Sequence, residues 1–190
     1  MNQSINQSIN QSVMKDFTDK RWITTDTDLR TLLKQCKKCF NSTLKGNLVT
    51  PYNEIETLQL SRTKFTLIMN TNNSEEEHPS VGHWIVCHVN PNTKKAILHD
   101  SLNEIERCHP KVFSQIKLFC KNRHLKLYNF GIRTQGKDNK NCGLHSLWFT
   151  HKCHQLNLSA LFRLGTVFKP YSVCEREHFV MHETLSTFRV

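Results

Sequence analysis

No apolar run in this sequence is long enough to cross a membrane, so no membrane partner is expected. Acids are scarce beside bases: 16 Asp and Glu stand against 26 Lys and Arg, a net charge of +10. That excess suits a polyanionic partner such as nucleic acid or an acidic protein, although a soluble basic surface needs no partner at all. Apolar residues are also sparse at 37%, which describes a globular chain with polar edges. Its 190 residues still suffice for one domain with a real core. A secretory start is missing as well. Residues 2–13 read NQSI-NQSI-NQSV, with neither the basic start nor the apolar stretch of a signal peptide. This repeat reads as a disordered low-complexity leader over 1–14, with 15–190 as a single domain that is not secreted. Without a secretory signal, the eight cysteines are expected to be free thiols in a reducing compartment. They are then buried small residues, metal ligands or a nucleophile.

The periodicities describe an α+β domain: a small mixed or antiparallel central sheet flanked by helices. In 26–40, Leu29, Leu32, Leu33, Cys36 and Phe40 recur at helical spacing, with acids early and lysines late as the helix dipole prefers. KFTLIM, 64–69, reads as a buried strand. The runs 83–89 and 94–100 flank Asn90-Pro91-Asn92-Thr93 and form a hairpin, since the fixed φ of Pro91 suits a tight turn. If Val89 pairs with Lys94, then Ile85 faces Leu98, Cys87 faces Ala96 and His83 faces Asp100. Opposed residues point to one side with Cβ atoms roughly 5 Å apart, so a carboxylate meets an imidazole there. Trp84 then lies on the other face and packs a core or shields the triad rather than binding substrate. A helix over 110–122 starts at Pro110, 124–130 is another strand, and 131–141 is a polar loop. From Cys142, the residues Leu144, Leu147, Trp148 and Leu156 suit a buried helix. Ser172 and Glu175 form a capping-box pattern that starts a last helix over 172–188.

Cys142 is the one cysteine that this pattern puts at a helix start after a polar loop. Free N–H groups there stabilise negative charge, which a thiol nucleophile needs. Gly143 allows close approach of backbone or substrate. His83 is the candidate base and Asp100 its orienter. Gln135, seven residues before Cys142, has an amide that can join the Cys142 N–H in holding an oxyanion.

His83-Trp84, Asp100, Gln135 and Cys142-Gly143, in this order and spacing, resemble the His-Trp…Asp/Glu…Gln…Cys-Gly signature of a cysteine-protease clan. That clan holds the adenovirus-type proteases (adenain) and the proteases that cleave SUMO-like modifiers. HWIVCHVNPNTKKAILHD is similar to the adenain His-Trp hairpin, and Met69-Asn70-Thr71 also resembles its counterpart. The resemblance spans about 26–155. Asp100 stands where many adenain sequences carry Glu, as in the SUMO-protease branch, and the region after about 157 is not matched.

The resemblance implies a viral cysteine endopeptidase cutting precursor proteins of the capsid or core after Gly-Gly-type sites during virion maturation. It implies action as a monomer in the host cell nucleus and the virion. No cofactor is needed for the chemistry, with DNA and a viral peptide as activators. Lys111, Lys117, Lys121, Arg123 and Lys126 are the candidate DNA contacts, each set against a plain solvated basic face. Contacts to phosphates would make stimulation salt-sensitive.

Three other readings compete. Cys36-x2-Cys39 with Cys174-x3-His178 has zinc-ligand spacing, but Cys36 belongs to an apolar helical stripe rather than a knuckle. His145, His151 and His154 read as packing or surface residues, and no metal is assigned. A SUMO- or ubiquitin-like isopeptidase would use the same triad. A catalytically dead, DNA-binding relative would not need all four signature residue types, which are present.

Overall fold

The structure, a computed structural model, describes residues 25–35, 49–58, 63–72, 82–137 and 139–188. The leader, and the Cys36–Cys39 pair, lie outside the described residues. Helix α1 (Asp26–Gln35) precedes strand β1 (Val49–Pro51), a 3-10 turn (Tyr52–Thr57) and β2 (Phe65–Asn70). Then follow β3 (Trp84–Asn90), β4 (Lys95–Asp100), a one-turn helix α2 (Ile105–Cys108), α3 (Pro110–Asn122) and β5 (Lys126–Asn129). Helices α4 (Cys142–Gln155), α5 (Leu158–Phe168) and α6 (Val173–Thr187) complete the chain.

The five strands form one sheet in chain order. β2, β3 and β4 run antiparallel, while β1 and β5 join the edges in parallel. The mixed α+β architecture is the expected one. β2 and β3 are buried along almost their whole length, which requires cover on both faces. One face packs Val49, Ile68, Trp84, Val86 and Ile97 against Leu144, Leu147 and Trp148 of α4, with α1, α5 and α6 around it. The other packs Leu67, Ile85, Cys87 and Leu98 against Val112, Ile116 and Phe119 of α3. Trp84 does fall on the face away from Ile85, 1% exposed.

Helix α4 is enclosed nearly all round, with residues 142–151 and Cys153 all buried. A helix without a polar face belongs at the centre of a fold. Two of its buried polar side chains find partners inside: Thr150 donates to the Ser146 carbonyl at 2.8 Å, and the Thr134 hydroxyl lies 2.9 Å from His145 Nδ1. Helix α3 has the bounds expected of it, and α6 has its capping box, with Glu175 N–H bonding Ser172 Oγ and Ser172 N–H bonding Glu175.

The hairpin register needs correction. Val89 pairs with Ala96 and Asn90 with Lys95, so Ile85, not His83, is opposite Asp100. The turn keeps four residues but sits one residue later than expected, at 91–94. Pro91–Thr93 forms a 3-10 turn, the Asn90 side chain accepts from Thr93 N–H, and Lys94 takes the left-handed conformation at φ 51°. The shift is two residues, and strand side chains alternate with period two, so every residue keeps its face. His83 becomes the diagonal neighbour of Asp100, still within reach of a long side chain. Helix α5 has no counterpart in the sequence expectations. Its N-cap is Asn157, whose side chain accepts from Ala160 N–H at 2.9 Å.

Candidate active site

Three segments converge at one end of the sheet: the approach to β3, the exit of β4 and the start of α4. Asp100 is the last residue of β4, and its carboxylate is enclosed by the turn that follows. Oδ1 accepts from Leu102 N–H at 3.0 Å and Oδ2 from Glu104 N–H at 2.7 Å. Asn103 sits at φ 55° and its N–H closes the turn on the Asp100 carbonyl. The carboxylate is therefore fixed before any partner arrives, as side chains of this type are in tight turns.

His83 directly precedes β3. Its Nε2 lies 2.6 Å from Asp100 Oδ1, with 12% and 3% of the two side chains exposed. The Cys142 thiol is the second group whose nearness acts on the imidazole. Burial alone pushes the His83 pKa down, but Asp100 and Cys142 outweigh it and raise it to about 10. Burial likewise pushes Asp100 up, while His83 and the two backbone N–H groups hold it well below the usual carboxylate range. The two shifts share one cause, the attraction of His83 and Asp100 for each other, which outweighs burial. The His109 ring stacks on His83 with centroids 5.7 Å apart and planes 13° from parallel.

Cys142 is the first residue of α4, after Asn141 at the N-cap, and is 7% exposed. Its Sγ points to the Gly82 carbonyl at 3.9 Å. Gly82 has no room for a side chain: a Cβ there would sit 2.1 Å from Asn70 Oδ1. The glycine lets the chain pass close to β2 and deliver His83 beside the helix start.

Gln135 is held by the residue next to Asp100. Ser101 Oγ donates to Gln135 Oε1 at 2.6 Å, and the Ser101 carbonyl accepts from Thr134 N–H at 2.9 Å and Gln135 N–H at 3.0 Å. Gln135 Nε2 gives one proton to the Asn139 carbonyl and keeps a second N–H. Asp100-Ser101 thus fixes both the imidazole and the glutamine. Helix α6 steadies the same loop, since Glu177 Oε2 accepts from Gly136 N–H at 3.3 Å.

His83, Asp100 and Cys142 are brought together, and Gln135 is tied to that group through Ser101. The arrangement gathers the residue types that thiol activation uses: a sulfur at a helix start, an imidazole near it, and a carboxylate bonded to the ring. Sequence reasoning missed Ser101 and His109. Ser101 carries a readable signal, its position directly after Asp100; His109 carries none, because only the fold lays it on His83.

The basic residues divide. Lys111, Lys117 and Lys121 are exposed on α3, and Lys126 on β5. Arg123 is the exception: its Nη1 bonds Glu56 Oε2 at 2.9 Å, its Nη2 bonds the Glu56 carbonyl at 3.0 Å, and its guanidinium lies 4.4 Å from the Phe119 ring. These contacts tie α3 to the 3-10 turn. Among the described residues no group of three His, Cys, Asp or Glu side chains has metal-holding geometry, and no helix is long and apolar enough to cross a membrane. Cys174 and His178 are exposed on α6. No family model matches the chain, and no curated protein matches it.

Proposed function

We propose that the chain is a cysteine endopeptidase, adenain-like in its chemistry. The observation that supports this reading is the buried His83–Asp100 pair at 2.6 Å, with a thiol close enough to act on the imidazole at the first residue of α4. With Nε2 committed to Asp100, Nδ1 takes the proton from Cys142 Sγ. The thiolate attacks the carbonyl after a glycine of the substrate. The free N–H of Gln135 Nε2 and the Cys142 N–H hold the oxyanion. The imidazolium then protonates the leaving amine as the C–N bond breaks, leaving a thioester. Water, giving its proton to His83, attacks the thioester, and the carboxylic acid leaves the restored thiol. The substrates are viral precursor proteins of the capsid or core with Gly-Gly-type sites, cut in the nucleus or virion, with DNA and a viral peptide as activators.

Incubating the protein with a panel of Leu-x-Gly-Gly peptides, with and without DNA, tests this. Cleavage that stops on thiol alkylation and in Cys142→Ala is expected; cleavage that persists in Cys142→Ala contradicts it. Asp100 in place of Glu favours a second reading, a SUMO- or ubiquitin-like isopeptidase. Turnover of such reporters, with the short peptides left intact, would select it.

A further inference from the structure

At the hairpin end of the sheet, away from Cys142, lies a cavity of about 410 Å³. Its floor is the sheet face that α4 covers, and its roof is the turn from α4 into α5. The size falls within the range of small-ligand pockets. Its walls mix apolar side chains, Ile97, Leu156 and Leu161 among them, with cations, and hold no acid.

The cations form a row across the sheet. Lys95 is the register partner of Asn90 on one side and of Lys126 on the other. Lys64 directly precedes Phe65, the partner of Val89, which sets it beside Asn90. Like charges on neighbouring strands repel, and among the described residues nothing of opposite sign answers Lys95. Lys64 Nζ reaches only a carbonyl, that of His154 at 3.3 Å. One row deeper, His88 is 6% exposed and lines the cavity. Its Nδ1 is 2.8 Å from the Thr66 hydroxyl, and its Nε2 has no hydrogen-bond partner among the described residues. Burial first, then the charges of His154 and Lys64, push its pKa down to about 3, and no anion pulls it back. The N-terminus of α5 adds free N–H groups and Ser159 at the same wall.

From this arrangement we infer that the cavity is a binding site for a small phosphate-bearing molecule, its phosphate between Lys64 and Lys95 and its body against Ile97 and Leu161. His88 Nε2–H donates to it when Thr66 donates to Nδ1. A compact ligand suits the site better than a duplex backbone, because the pocket is concave and walled by leucines. The site is separate from the thiol: α4 alone places 14 residues, about 21 Å, between its ends. The inference does not rest on the protease reading.

Calorimetric titration of the full chain with pyrophosphate and with AMP, in low salt, tests it. The wild-type protein binds at least one of the two, and NMR shows the His88 ring signals moving on saturation. The double variant Lys64→Ala/Lys95→Ala, whose melting temperature is measured alongside, keeps its fold and weakens binding by about tenfold or more, the worth of one charge-assisted hydrogen bond. Binding that is unchanged in the double variant, or absent at millimolar probe, overturns the inference. So does a duplex DNA that binds through these lysines while both small probes fail.

Discussion

Helix α4 carries a cysteine toward each end, and each has a histidine of the β3 segment for company. At the start, Cys142 meets His83; toward the finish, Cys153 and His88 line one cavity. The residue types are the same and the electrostatics are opposite. Asp100 faces His83 and, against burial, helps raise its pKa to about 10. His88 faces His154 and Lys64, which add to burial and lower it to about 3. Burial likewise pushes the Cys153 thiol well above its usual range, against the pull of Lys64. A Cys and a His in one place are therefore not enough. The carboxylate decides which pair can share a charge, and only the β4 exit supplies one.

The largest effect expected from breaking this comparison is at the sulfurs. Cys142→Ala abolishes peptide cleavage, whereas Cys153→Ala leaves kcat/KM within about twofold and only lowers the melting temperature, as a small core cavity does. Steady-state assays on the two variants measure the contrast. Next comes Asp100→Asn, which keeps the shape and removes the charge. It lowers kcat by about 10²- to 10⁴-fold, the range of acid–base contributions. The pH profile sharpens the point. A histidine raised from 6.5 to about 10 contributes stability that is complete below pH 6.5 and lost as pH climbs through about 10. In Asp100→Asn the alkaline loss of stability moves to lower pH, and urea titrations from pH 7 to 10.5 follow it.

Gln135→Ala should cost kcat about 10- to 10³-fold with little change in KM, since an oxyanion donor acts in the transition state. An equal rise in KM would make Gln135 a structural residue of its loop instead. The smallest effect is at His99, buried among Phe130, Trp148 and Phe149, where neither ring nitrogen has a partner. Burial holds it neutral down to about pH 3. The unfolded chain takes that proton near 6.5, so His99, like His88, drains stability as pH falls from 6.5 toward 3. His99→Leu is expected to gain about 1–3 kcal/mol at pH 5, the cost of unpaired buried polar groups, and less at pH 8. Denaturation at the two pH values measures the difference.

Much of the site was legible because its signals are local. A loop ending in a Cys-Gly helix start, and a hairpin with Asn-Pro at its turn, can be read without a fold. The face of His83 relative to Asp100 survived a two-residue register error because period two is insensitive to it. The error itself came from Lys94, a non-glycine residue in the left-handed conformation, which no propensity anticipates. The Arg123–Glu56 pair is not legible in the sequence because the two residues lie 67 positions apart. The 131–141 loop reads as polar, yet Ile132, Thr134, Gln135 and Asn141 are buried, Thr134 and Gln135 through bonds to the β4 exit. Helix α5 was missed although Asn157 and the apolar spacing of Leu158, Leu161 and Phe168 announce it.

Site-resolved alkylation by iodoacetamide at neutral pH tests the central claim most directly. Cys108 and Cys174 are exposed, while Cys142 is 7% exposed. Accessibility alone ranks Cys142 behind both. The account predicts that mass spectrometry finds Cys142 modified first, and that Asp100→Asn removes its lead. Modification of Cys108 and Cys174 ahead of Cys142 in the wild-type protein would contradict it.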